Sequence, residues 1–370
     1  MATTITQNDR TVNWRQVGAF LVLNFALSWG LCLVLYLSGG LFNPAAGTLL
    51  QLLMLLPAFS AILLSLFFFK DHPLYYRQAG EDEYPRRPRW FFIIFLVYTL
   101  LYIVLGALSL AFPERVAQIA PFTGIATIIV LLLLIGIRLA SGREAFARAG
   151  LSGGKAKDWL LWGLFFVVFY GIQIGLNALL GLGQQADLQA LTEALGVEMS
   201  GPALLALLAL QTVVIGSLIA IPISFGEEYG WRGYLQSALV KMGKKRGILL
   251  LGIIWGIWHY PVILMGHNYP GRPLLGVVLM TIYTIGLAFI LGHIVFKTGS
   301  VLLAAFLHGL NNQVLAYYFT FINTPRDTAF SFGIGIYGLL LMAPVVFVLL
   351  RDPIWNDEAV EAESIKQLVV

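Results

Sequence analysis

Two adjacent carboxylates, Glu227 and Glu228, stand in the stretch F-G-E-E-Y-G-W-R-G, and Arg232 follows the second by four residues. Ionisable groups in or beside membrane segments are costly and are functional candidates by default. On a helix, residues four apart share a face, so Glu228 and Arg232 can pair. Glu227 lies about 100° round the same helix, at ~3.6 residues per turn. One carboxylate is then neutralised by Arg232, and the other is left free for chemistry. His259 lies in I-I-W-G-I-W-H-Y-P, with Trp255 one turn before it as a pocket wall. His308 lies in F-L-H-G-L-N-N, with Asn312 one turn after it. A paired histidine and asparagine offer donors to a developing oxyanion. Each group also has a plainer reading: a juxtamembrane ion pair, a histidine bonded to a backbone carbonyl, or an interhelical polar contact. Their occurrence on successive segments of one apolar domain favours a shared site. The other histidines carry less: His72 and His267 read as surface residues, and His293 as a packed or interfacial one.

These side chains must be held by membrane helices. The 370 residues are 59% hydrophobic and 11% charged, with a mean hydropathy of +0.82. A soluble domain carries about 25% charged residues, so the expected class is an all-α, polytopic transmembrane bundle. Spanning helices need about 20 apolar residues. Ten segments qualify as candidates: 17–37, 49–69, 90–112, 122–139, 159–182, 203–224, 248–265, 274–296, 301–321 and 332–350. With both termini in the cytoplasm, all Lys and Arg fall on the cytoplasmic side except Arg115, Arg272 and Arg326, a bias that supports this count. The net charge of +4 follows from those loops and calls for no nucleic-acid partner. The single cysteine, Cys32, rules out a disulfide framework and a cysteine zinc cluster. The first apolar run is too long for a cleaved leader.

The spans divide by polarity. Residues 1–158 hold helices nearly free of ionisable groups and read as scaffold. Residues 159–350 hold the polar constellation and read as the catalytic core, followed by an acidic tail at 351–370. Segments 71–89 and 141–158 read as charged cytoplasmic connectors. The acidic outer loop 183–202 has room for a short helix. Depth poses a question. His259 stands about eleven residues into its span, or ~17 Å at 1.5 Å per residue, whereas Glu227 follows the end of the sixth span. Either the sixth helix sits deeper or a water-filled cavity reaches inward.

The three motifs together resemble the CAAX-protease and bacteriocin-processing family of intramembrane endopeptidases, which includes the Ras-converting CAAX endopeptidase. Glu227, Glu228 and Arg232 match its glutamate-glutamate-x-x-x-arginine motif. Trp255 and His259 match its aromatic-x-x-x-histidine motif, with tryptophan where phenylalanine is usual. His308 and Asn312 match its histidine-x-x-x-asparagine motif. The resemblance covers about 203–321, and the helix at 53–67, with P-A-F-S-A at its centre, is similar to one common in bacterial members.

The resemblance implies that Glu227 activates water, helped by His259, and that Arg232 holds Glu228 to shape the site. It implies that His308 and Asn312 stabilise the oxyanion. A metal mechanism stays open beside this one, with Glu227, His259 and His308 as ligands of a zinc-like divalent ion. The implied substrate is a membrane-associated or prenylated peptide or protein. The compact polytopic design with short loops points to a prokaryotic plasma membrane, with the site expected to open to the cytoplasm. The alternatives are a non-catalytic binding, immunity or scaffold protein of the same family and a transporter. The few ionisable groups in the outer halves of the spans argue against the transporter.

Overall fold

The apolar runs fold as helices because a backbone in hydrocarbon must satisfy its polar groups internally. The computed structural model describes residues 11–69, 86–141, 146–147 and 151–356. Most of the 71–89 connector with His72, parts of 141–158, and the tail from residue 357 lie outside the described residues.

Helices α1 (Trp14–Leu37), α2 (Ala46–Phe67), α3 (Arg86–Ala111), α4 (Val116–Ser141) and α5 (Ala156–Leu179) follow the first five expected spans. Strand β1 (Gly183–Gln185) and helix α6 (Leu188–Leu195) form the acidic loop, and Asp187 caps α6 by accepting from the Ala190 N–H at 3.0 Å. Helix α7 (Gly201–Ile219) comes next, then α8 (Ile221–Glu228), α9 (Lys244–Trp258), α10 (Tyr260–Leu264) and α11 (Pro273–Thr298). Helix α12 (Val301–Tyr317), strand β2 (Asn323–Pro325) and α13 (Ile336–Leu349) complete the order. The two strands pair antiparallel, Gly183 opposite Pro325.

Among the described residues, seven helices are long and apolar enough to cross a membrane: α1 to α5, α7 and α11. The other three expected spans are shorter helices. Helix α9 has 15 residues and stops at His259, before Pro261; α12 has 17 and runs into a π turn, Tyr318–Ile322; α13 has 14. The chain is therefore an integral membrane protein of helices, seven of them of full spanning length among the described residues.

The sixth helix answers the question of depth. It does not end near Ser224. After a break at Ala220, where Pro222 removes an N–H, it continues as α8, a π turn (Tyr229–Leu235) and a short helix (Gln236–Leu239). Gly243 then reverses the chain at φ 100°, a conformation that excludes ordinary side chains. Glu227 and His259 stand sixteen residues on either side of Gly243. At ~1.5 Å per residue both lie ~24 Å from the reversal, at matching depth.

Helix α2 backs the carboxylates. At Gly226 an added Cβ would stand 2.6 Å from Leu55 Cα, and at Gly230 2.6 Å from the Pro57 carbonyl carbon. The two backbones touch because these glycines have no side chains, a small-residue interface typical of membrane helices. Gly252 and Gly256 do the same for α9 on α11: an added Cβ would stand 2.6 Å from Ile285 Cα and 2.7 Å from Thr281 Cα. Gly230→Ala is expected to destabilise the protein by ~1–3 kcal/mol through overpacking. Thermal unfolding in detergent measures it, and an unchanged midpoint contradicts the contact.

Past α13 the chain folds back onto the end of α11. Trp355 is buried there beside Phe289, His293 and Phe296. Asp352 accepts from Lys297 Nζ at 2.7 Å, from His293 Nε2 at 3.0 Å and from the Ile354 N–H at 3.0 Å. Burial alone pushes the Asp352 carboxyl up, but these donors, Lys297 foremost, outweigh it and hold it at about 2. A depressed carboxyl stabilises the fold above its unfolded value of 3.8, and that stabilisation is lost as pH falls through about 2. Asp352→Asn is expected to lower the unfolding midpoint at neutral pH. The gap to the unsubstituted protein should close between about pH 4 and 2, and a gap independent of pH contradicts the assignment.

Candidate active site

Glu227, Glu228 and Arg232 are buried at 2%, 0% and 0% exposure, although they lie on a helix rich in apolar residues. Such groups survive in the interior only when paired. Arg232 Nη1 donates to Glu228 Oε1 at 3.0 Å. The same oxygen accepts from His308 Nδ1 at 2.7 Å, so Glu228 ties α8 to α12. The guanidinium lies over the Trp255 ring, 4.2 Å from its centroid. The π turn that begins at Tyr229 carries Arg232, and such turns are frequent at functional sites.

Glu227 has a different partner. The Trp255 indole N–H donates to its Oε2 at 2.7 Å. His259 Nδ1 lies 2.8 Å from the Trp255 carbonyl oxygen. A carbonyl only accepts, so Nδ1 carries the hydrogen and Nε2 keeps its lone pair. Trp258 packs edge-on against the His259 ring at 4.8 Å, and the Trp29 indole N–H donates to the Trp258 carbonyl at 3.3 Å. Helix α1 thus supports the break at which His259 sits. Trp255 also contacts the His308 ring edge-on at 5.6 Å. It touches four of the other expected site residues: Glu227, Arg232, His259 and His308.

The structure thus gathers Glu227, Glu228, Arg232, Trp255 and His308 into one hydrogen-bonded and stacked cluster, with His259 attached through Trp255. Asn312 stands apart. It is exposed, and its side-chain oxygen accepts from Asn311 Nδ2 at 3.1 Å. Asn311 is buried and accepts from the Tyr170 hydroxyl at 2.7 Å and the Tyr283 hydroxyl at 2.9 Å. Sequence reasoning missed this hub. Its signals were the doubled asparagine and two tyrosines inside apolar spans, which need partners when buried. His293 is packed, as expected, whereas His267 is half-buried rather than a plain surface residue.

Among the described residues, no three His, Cys, Asp or Glu side chains are placed to hold a metal ion together. Glu227, His259 and His308 therefore do not fit a zinc-like ligand set in this arrangement. Trp255 engages Glu227 through its indole and His259 through its carbonyl.

The fold and the cluster define a helical membrane protein with a buried carboxylate–arginine–histidine centre. Residues 202–314 match the family model for Type II CAAX prenyl endopeptidase Rce1-like proteins. The match spans under a third of the chain and contains all three motifs, so the resemblance to the CAAX-protease family holds over this segment. Comparison with curated proteins and with solved structures gives no match.

Proposed function

We propose that the chain is an intramembrane endopeptidase in which Glu227 activates the attacking water. The observation that carries this reading is the unequal pairing of the two carboxylates. Glu228 Oε1 accepts from both Arg232 and His308, whereas Glu227 accepts from the Trp255 N–H on Oε2. Glu227 takes a proton from water as general base. The hydroxide oxygen bonds to the scissile carbonyl carbon. His308 keeps its Nδ1–H on Glu228, and in its protonated form it offers an Nε2–H to the oxyanion. Asn312, exposed outside the cluster but one turn beyond His308 on the same helix, supplies a second donor from its side-chain amide. The C–N bond then breaks, and the proton held by Glu227 passes to the leaving amine. His259, with a free Nε2 lone pair, assists the proton transfer.

The substrate is a peptide of a membrane-associated or prenylated protein, presented from the cytoplasmic side of a prokaryotic plasma membrane. All ten apolar segments cross or enter the bilayer, with both termini cytoplasmic. Residues 1–158 serve as scaffold for the catalytic core in 159–350.

The test is cleavage of a panel of prenylated and unprenylated peptides by purified protein in liposomes, with and without a chelator. The expected result is cleavage of at least one peptide that a chelator leaves intact. Cleavage abolished by the chelator contradicts the metal-free scheme. No cleavage of any peptide favours a binding or immunity protein.

A further inference from the structure

The indole N–H of Trp255 stands where the proposed reaction needs its base held still. Its nitrogen lies 2.7 Å from Glu227 Oε2, and both residues are 2% exposed. The ring itself is fixed on two other sides, by the Arg232 guanidinium at 4.2 Å and by the His308 ring at 5.6 Å. Its backbone carbonyl, at the same time, holds His259 Nδ1 at 2.8 Å. A phenylalanine at this position fills a similar space but has no donor.

We infer that Trp255 is a positioning residue, whose indole N–H clamps Oε2 of Glu227 and leaves Oε1 as the oxygen that meets water. This goes beyond a pocket wall, and it rests on the endopeptidase reading. A carboxylate with two equivalent free oxygens samples several rotamers and spends only part of its time aimed at a water. A charge-assisted bond to one oxygen restricts that sampling. Pre-positioning of this kind acts on the chemical step rather than on substrate binding. The carbonyl of the same residue sets the tautomer of His259, so one side chain and its own backbone orient both groups of the proposed proton path.

Two measurements separate the clamp from the reaction. The first is the indole ¹H–¹⁵N resonance of Trp255 in ¹⁵N-tryptophan-labelled full-length protein, assigned from its loss in Trp255→Phe. It is expected to shift when Glu227→Gln replaces the charged acceptor by a neutral one. A resonance that does not move overturns the clamp. The second is cleavage kinetics with Trp255 replaced by benzothienylalanine, a near-isostere without the N–H, and with Trp255→Phe. A lost bond to a charged group predicts a fall in kcat of about 10- to 100-fold for both, with KM within about 2-fold. A benzothienylalanine enzyme with undiminished kcat overturns the inference, as does a loss confined to KM. If the resonance shifts but the unsubstituted protein cleaves nothing, the endopeptidase reading and the catalytic role of Trp255 fall, and the structural clamp stands.

Discussion

Glu227→Gln is expected to lower kcat/KM for peptide cleavage by ~10²–10⁴-fold, the usual contribution of a positioned general base. Glutamine has nearly the same shape and can still accept from the Trp255 N–H, so the cluster keeps its packing. What it loses is the capacity to take a proton from water. Because the group acts on the chemical step, the loss should fall on kcat, with KM little changed. Glu228→Gln should behave differently. Glu228 Oε1 is committed to Arg232 and His308, so that change disturbs the scaffold of the site and lowers stability as well as rate. Equal kinetic losses with equal destabilisation in both variants contradict the division of labour between the carboxylates.

Arg232→Met is expected to destabilise the protein by about 3–5 kcal/mol, the range for breaking a buried ion pair on one side. Arg232 and Glu228 are both 0% exposed and 3.0 Å apart. Methionine fills much of the volume, but the Glu228 carboxylate then keeps His308 as its remaining partner, and the contact over Trp255 disappears. Replacing both residues, as Glu228→Gln with Arg232→Met, should recover much of the loss, since no unpaired charge stays buried. The four proteins form a double-mutant cycle, read by thermal unfolding in one detergent. A single-variant loss under about 1 kcal/mol, the size of an exposed pair, contradicts a buried, coupled pair.

How far these residues were legible depended on what each one needs from its surroundings. Long apolar runs such as 90–112 and 274–296 showed themselves by length alone, because a span is a property of one segment. The Glu228–Arg232 pair was also local, set by four-residue spacing. The continuation of the sixth helix past Ser224 was legible only as one of two answers to the depth question, because Y-G-W-R-G-Y-L mixes glycines with polar residues and resembles a connector. There α2 takes up Gly226 and Gly230, and the π turn that follows carries Arg232, which meets Glu228 and Trp255. The break of the seventh expected span at His259 was foreshadowed by Pro261, yet nothing local indicated that Trp29 supports it. The bond from Trp255 to Glu227 joins residues 28 apart on two helices, so spacing within a motif says nothing about it. Asn311 and Asn312 are neighbours of one type, and only the fold separates the buried one from the exposed one.

The most direct measurement of the central claim is single-turnover cleavage in ¹⁸O-labelled water, read by mass spectrometry of both fragments. It uses the unsubstituted protein and Glu227→Gln in identical liposomes with the best peptide of the panel. The account expects one ¹⁸O atom in the new C-terminal carboxylate, no covalent peptide–protein adduct at any time point, and product from Glu227→Gln formed ~10²–10⁴-fold more slowly. Product formed at an undiminished rate by Glu227→Gln, or a trapped acyl-enzyme, contradicts it.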